Sequence, residues 1–215
     1  MLGVVYMIRS FPIDDILNSP SKLAILRVLA SRKGFKATGR EIAKLSGYSV
    51  PSSHETLKDL HARDVLLFEV IGKQHIYSLN EENRIVQKVI HPMFKVESGF
   101  KEEIRDFLLN EIIKVHIKTK IVSLILYGST QQGTAKHGSD VDIAVVIKKA
   151  SEVDKIQDIF ISQIEPRFKE YFGVYMDPYV KSAAAFRQRL KKNQPPISSL
   201  MKSYSVLYGK EPLEV

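Results

Sequence analysis

Residues 126–146, LYGSTQQGTAKHGSDVDIAVV, decide the reading of this chain. An apolar, β-rich run over 121–127 ends at Tyr127, and Gly128 removes the side chain where the backbone must turn and a phosphate would come close. Ser129 stands at the start of the next helix, where backbone N–H groups and its own hydroxyl can hold an anion. Gly133 permits close approach one turn later. Asp140 and Asp142 lie two apart at the beginning of a second strand, 141–147, so both carboxylates leave the same face. They repel each other unless a cation lies between them. Hard oxygen ligands with little else nearby suit Mg²⁺, which binds one or two carboxylates together with phosphates and waters.

Gly-Ser, ten intervening residues and Asp-x-Asp resemble the signature of the DNA polymerase β-like nucleotidyltransferase superfamily. The match runs through Gly133 and the Ser139-Asp140 pair into the strand over 143–147, and it is most similar to the minimal nucleotidyltransferases, which are little more than this core. The resemblance implies that Asp140 and Asp142 hold Mg²⁺ on a nucleoside triphosphate, ATP foremost, while Gly128, Ser129, Gly133 and Ser139 form the phosphate grip. It also implies a third carboxylate on a later strand that helps activate the attacking hydroxyl. Asp177, within VYMDPYV, is the candidate, and with it two metal ions would clamp the attacking and leaving oxygens. Two features depart from the family pattern. Thr130-Gln131-Gln132 stands where many relatives have a basic residue, which leaves the grip to Lys136 or to backbone donors. Pro178 deletes a ladder N–H beside Asp177 and so points to a strand end or a sheet edge.

Before this core, residues 19–80 read as helix, helix, turn, helix, hairpin. Ser19 caps a helix with Pro20 in its first turn, and Leu23, Leu26 and Leu29 recur at helical spacing until Gly34. Thr38 and Glu41 spell a capping box for a second helix with Ile42 and Leu45 as its buried stripe. Gly47 supplies a tight turn, Pro51 opens a third helix, and the runs 65–71 and 75–79 make a hairpin around Gly72-Lys73-Gln74. This order resembles a winged helix-turn-helix domain. Such a domain places Arg40, Ser52, His54 and Lys58 toward DNA, with Lys73 and Gln74 at the wing tip. The basic residues from Lys22 to Lys44, opposed only by Glu41, form a plausible phosphate-facing surface.

The expected organisation is therefore an α+β chain: a winged helix-turn-helix over 1–80, a helical connector over 81–118 interrupted near His91-Pro92, and a minimal nucleotidyltransferase domain over 119–215 built on a mixed sheet flanked by helices. In the last domain a helix is expected over 151–171, a third extended run over 172–180, and helices over 182–192 and 198–204.

Composition narrows the rest. With 44% hydrophobic and 26% charged residues the 215-residue chain has the makeup of a globular protein, and the absence of cysteine excludes disulfides and thiolate chemistry. A formal charge of +8 favours a polyanionic partner. The run 2–8 is too short for a signal-peptide core and reads as a terminal strand, so the cytoplasm is the expected compartment, with no membrane contact. The leading expectation is Mg²⁺-dependent transfer of a nucleotidyl group from ATP to a hydroxyl acceptor, with DNA held by the winged helix in a monomer or homodimer. The alternatives are a transcription regulator that senses nucleotide without turning it over, and an antitoxin that nucleotidylates a partner toxin.

Overall fold

In the computed structural model, which describes residues 12–134 and 138–215, the chain divides into two compact units, residues 1–99 and 100–215. The strand expected over 2–8 lies outside the described residues.

In the first unit, α1 (Pro12–Ile16) precedes α2 (Pro20–Ala30), which opens as its sequence dictates: Ser19 accepts from the Lys22 N–H, and Pro20 fills the first turn, where no N–H is required. β1 (Ala37–Thr38) leads into α3 (Gly39–Ser46) through a complete capping box. The Glu41 N–H donates to Thr38 Oγ1 at 3.3 Å, and the Thr38 N–H donates to the Glu41 carboxylate at 2.8 Å. These bonds from Thr38 hold the Glu41 carboxyl below its ordinary value. Gly47, left-handed at φ 76°, ends α3 and turns the chain into α4 (Val50–Ala62). β2 (Leu66–Ile71) and β3 (Gln74–Leu79) form an antiparallel hairpin, and β1 pairs with the other side of β3. Helix, helix, tight turn, helix and wing compose a winged helix-turn-helix around Ile25, Leu26, Ile42, Leu57, Leu60 and Leu66.

Two expectations for this unit are corrected. Leu45 is 60% exposed, and Ile42 with Ala43 forms the buried face of α3. At about 100° per residue, position 45 has turned roughly 200° past Ala43. Lys22 does not face phosphate: it is 8% exposed, its ammonium pairs with Asp59 at 2.6 Å, and it donates to the Asp15 carbonyl.

The stretch 81–118 is shared between the units. A wide helical turn at Val86–Ile90 and α5 (His91–Ser98) bury Val86, Ile90 and Phe94 in the first, whereas α6 (Phe100–Lys114) buries Ile104, Leu108 and Ile112 in the second. The interruption falls at Gly99 rather than at His91-Pro92. Pro92 occupies the first turn of α5, where its missing N–H is harmless.

The second unit is a four-stranded mixed sheet. β4 (Ile121–Tyr127) is followed by α7 (Gly128–Gln132) and by β5 (Val141–Ile147), which returns antiparallel to β4. A helical run then crosses over through α8 (Val153–Ile159) and α9 (Glu165–Phe172) to β6 (Met176–Ser182), parallel to β5. Between α8 and α9 a wide turn at Phe160–Ile164 accommodates Pro166. α10 (Ala183–Lys191) and α11 (Ile197–Leu200) follow, and then β7 (Ser205–Gly209), a strand the sequence reading did not anticipate, pairs antiparallel with β4. The sheet order is β6-β5-β4-β7.

Alternation along the strands gives the sheet two unlike faces. Leu124, Leu126, Ile143 and Val145 pack against α6, α8 and α9, with Ile156, Phe160 and Phe168 fully buried. Ile125, Tyr127, Ala144 and Val146 face the other way, under Phe186 of α10 and Ile197 and Leu200 of α11. Among the described residues no helix is long and apolar enough to cross a membrane.

Candidate functional site

Strand register assembles the acidic cluster. Tyr127 at the end of β4 pairs with Asp142 on β5, and Asp142 pairs with Asp177 on β6. Paired residues on adjacent strands point to one face, and strands lie about 4.8 Å apart, so the two carboxylates are neighbours at one end of the sheet. Asp140 is exposed one residue before β5. The sheet thus brings together the three carboxylates expected from the sequence. Pro178 fits because β6 is an edge strand, as its missing N–H implied.

The cluster is electrostatically unsatisfied. Burial pushes the Asp142 carboxyl above its ordinary value, and the negative charges of Asp177 and Asp140 push it further. The Tyr127 phenol is driven up by burial and then by Asp142, Asp177 and Tyr179. A hydroxyl in that position stays neutral. The half-buried Asp142, repelled by both Asp177 and Asp140, offers with them hard oxygens whose charge a divalent cation would relieve. Among the described residues no three or more His, Cys, Asp or Glu side chains close into a preformed metal cage. An open set of this kind fits Mg²⁺, which completes its octahedron with waters and substrate phosphates.

Gly128 is required by the same geometry. Its φ is +75°, and a Cβ there would lie 1.9 Å from Asp142 Oδ2. The backbone passes directly over the carboxylate, so a side chain at this position would have to push Asp142 aside. The N-cap residue of α7, Tyr127, makes no side-chain bond to the helix start, where the Gly128 and Ser129 amides lie. Gly133 is the left-handed residue, φ 70°, that ends this five-residue helix. Ser139 is half-buried just ahead of Asp140, and Lys136 lies outside the described residues. Gln131, in the segment that lacks a basic residue, accepts from Ser205 Oγ at 2.9 Å and ties α7 to β7.

The basic residues after Asp177 are partly committed to structure. Arg187 donates to the Val215 carbonyl at 3.4 Å and Arg189 to the Pro195 carbonyl at 3.1 Å, while the Lys181 ammonium stands 5.1 Å from the centre of the Tyr179 ring.

In the first unit, a cleft of about 370 Å³ opens between the start of α4 and the wing, lined among others by Arg40, His54, Lys73, Gln74 and His75. Four of the six residues expected to meet DNA line this cleft. Ser52 and Lys58 are exposed on α4 outside its lining. Arg27 and Lys36 are neutralised by Glu97 and Glu69 at 2.9 Å and 2.8 Å. His75, next to Gln74 at the wing, joins the lining of the cleft as the sequence suggests. What the sequence does not show is Tyr127, Gln131 and Gln157 in the second unit, whose placement follows from pairings distant in sequence.

Residues 110–176 match the family model described as Polymerase beta, Nucleotidyltransferase. The match contains Gly128, Ser129, Asp140 and Asp142 and stops one residue before Asp177. No curated protein matches the chain. Similar solved structures include a predicted DNA-binding transcriptional regulator from E. coli, 18% identical over 39% of this chain and 84% of that one, TM-score 0.35. Another is a homodimeric winged helix-turn-helix DNA-binding domain from Mycobacterium bovis, 17% identical over 43% and 77%, TM-score 0.32. A third is a toxin-antitoxin with AMP-PNP, 18% identical over 50% and 74%, TM-score 0.34. At these scores the likenesses carry no functional inference. The family match and the chain's own architecture agree: residues 110–176 carry a nucleotidyltransferase domain of the polymerase β kind, in a chain whose other unit is a winged helix-turn-helix.

Proposed function

We propose that the second unit transfers a nucleotidyl group from ATP to a hydroxyl acceptor with the help of Mg²⁺, and that the winged helix binds DNA and decides where this happens. The observation that carries the reading is the register Tyr127–Asp142–Asp177, which sets two carboxylates side by side under Gly128. In the reaction, the acceptor oxygen forms a bond to the α-phosphorus, the bond from that phosphorus to the bridging oxygen breaks, and pyrophosphate leaves with the electron pair. Asp177 accepts the acceptor's proton. The amides at Gly128 and Ser129 orient the phosphates, and Asp140 and Asp142, with Asp177 beside them, would hold Mg²⁺, which when bound would neutralise the charge that builds up on the phosphate oxygens.

Arg40, His54, Lys73 and Gln74 in one cleft support DNA as the ligand of the first unit. A protein with these two ligands works in the cytoplasm, and two copies would read two half-sites. Incubation with α-labelled ATP, Mg²⁺ and a lysate from its own source tests the reading. Label is expected on protein or RNA with the wild type and not with an Asp140→Ala/Asp142→Ala variant. Equal binding of Mg²⁺-ATP by both proteins would refute the site assignment.

One observation favours a second reading. Thr130-Gln131-Gln132 places no basic side chain beside the phosphates, and Gln131 is occupied by Ser205, which suits a regulator that senses nucleotide without turnover. Its signature is DNA affinity that changes with ATP while no label is transferred. An antitoxin acting on a partner toxin would instead place the label on one small protein.

A further inference from the structure

We propose that Gln157 is the positioning residue for Asp177, an inference that rests on reading Asp177 as the third carboxylate of the site. Among the described residues β6 pairs with β5 on one side only, so its other edge is open within the sheet. In a parallel ladder the N–H and C=O groups of alternate residues point to the same side. Val180 directs its N–H away from β5, and by alternation Pro178 does the same with its carbonyl. The N–H that proline lacks therefore falls on the open edge and leaves no gap in the ladder to β5.

Gln157 of α8 occupies that edge. Its Nε2 donates to the Pro178 carbonyl at 2.9 Å, and its Oε1 accepts from the Val180 N–H at 3.3 Å. One side-chain amide thereby makes both bonds that a neighbouring strand would have made. Its own placement is firm, because the preceding residue, Ile156, is fully buried in the core.

Position gives this clamp its consequence. Asp177 immediately precedes Pro178, lies opposite Asp142 and repels it. An edge strand fixed on one side is free to yield to that repulsion by swinging outward, which would carry Asp177 away from the acceptor oxygen. Gln157 holds the strand on its second side, one residue past the carboxylate.

The test uses the full chain with Gln157→Ala, Gln157→Glu and Asp177→Asn. Hydrogen exchange at the Val180 amide should quicken in Gln157→Ala and less so in Gln157→Glu, which keeps an acceptor for that N–H. Turnover of labelled ATP should drop by roughly 10- to 100-fold in Gln157→Ala, with KM for ATP unchanged and Gln157→Glu intermediate. Mn²⁺ binding without nucleotide, followed by calorimetry, should weaken in Gln157→Ala toward the value for Asp177→Asn. Unchanged turnover and unchanged Mn²⁺ affinity would overturn the proposal. So would a loss of turnover that comes with an equal loss of ATP affinity and a lowered melting midpoint, the pattern of general damage. A wild type that transfers no label with any acceptor would sink the transferase reading alone, and the Mn²⁺ comparison would then decide the role of Gln157.

Discussion

Gly128 and Asp142 are in such close contact that a single added methyl group at the glycine would overlap the carboxylate, at 1.9 Å from Oδ2. Two independent penalties therefore fall on Gly128→Ala. The left-handed backbone costs a non-glycine residue about 1–2 kcal/mol, and the overlap forces Asp142 out of place. Label transfer and Mn²⁺ binding are expected to be lost together, whereas the winged-helix unit keeps its DNA affinity. Retention of Mn²⁺ affinity in the variant would show that Asp142 does not hold the cation.

Asp142→Asn should raise the melting midpoint of the metal-free protein at neutral pH while abolishing transfer. Burial and the neighbouring Asp177 and Asp140 raise the Asp142 pKa in the folded state. The stabilisation linked to its proton is thus complete below the unfolded value, about 3.9, and is lost as pH rises through the folded one. Melts in chelator from about pH 4 to about pH 8 should fall more steeply for the wild type than for the variant. Added Mg²⁺ should stabilise only the wild type.

The winged helix carries the opposite linkage. Asp59 is held below its ordinary value chiefly by its hydrogen bond from Lys22, with Arg63 assisting. Its contribution is present above about pH 3.9 and is lost as pH falls through the folded pKa. Urea titrations of the wild type and Asp59→Asn should converge in acid and diverge above it. Identical curves at every pH would show that the buried Lys22 ammonium is held by the Asp15 carbonyl instead.

Removal of a single cation from the cleft beside α4 should weaken DNA binding without regard to sequence. Arg40→Ala and Lys73→Ala are each expected to lower the slope of log K against log salt by about 1. Lys36→Ala should change it little, because Glu69 already neutralises that ammonium. Fluorescence anisotropy over a range of salt concentrations measures all three slopes.

What the sequence reveals here divides by distance along the chain. Ser19, the Thr38–Glu41 box and Gly47 each satisfy a backbone group within a few residues, so their roles are visible in a short window. Gly128, Asp140 and Asp142 are legible for the same reason, since they lie close together in the sequence. The pairing of Asp142 with Asp177 spans about 35 residues, and no local pattern states which strands become neighbours. Gln157 was invisible because its role exists only once β6 is known to be an edge. Leu45 misled because a two-turn helix presents too short a stripe for its phase to be fixed.

β7 has a consequence for how the molecule comes into being. The strand that leads into Gly128 is flanked on one side by β5, which is close in sequence, and on the other by residues 205–209, roughly 80 positions downstream. Gly209 completes that seam, because any side chain there would collide with the Val122 carbonyl, 2.0 Å from its Cβ position. Contacts so distant in sequence form late. On the ribosome, β4 must wait with one edge bare until nearly the whole second unit has emerged, and Ser205 cannot secure Gln131 before then. The turn at Gly128 therefore reaches its final setting only after residues 205–209 have been made and have joined the sheet.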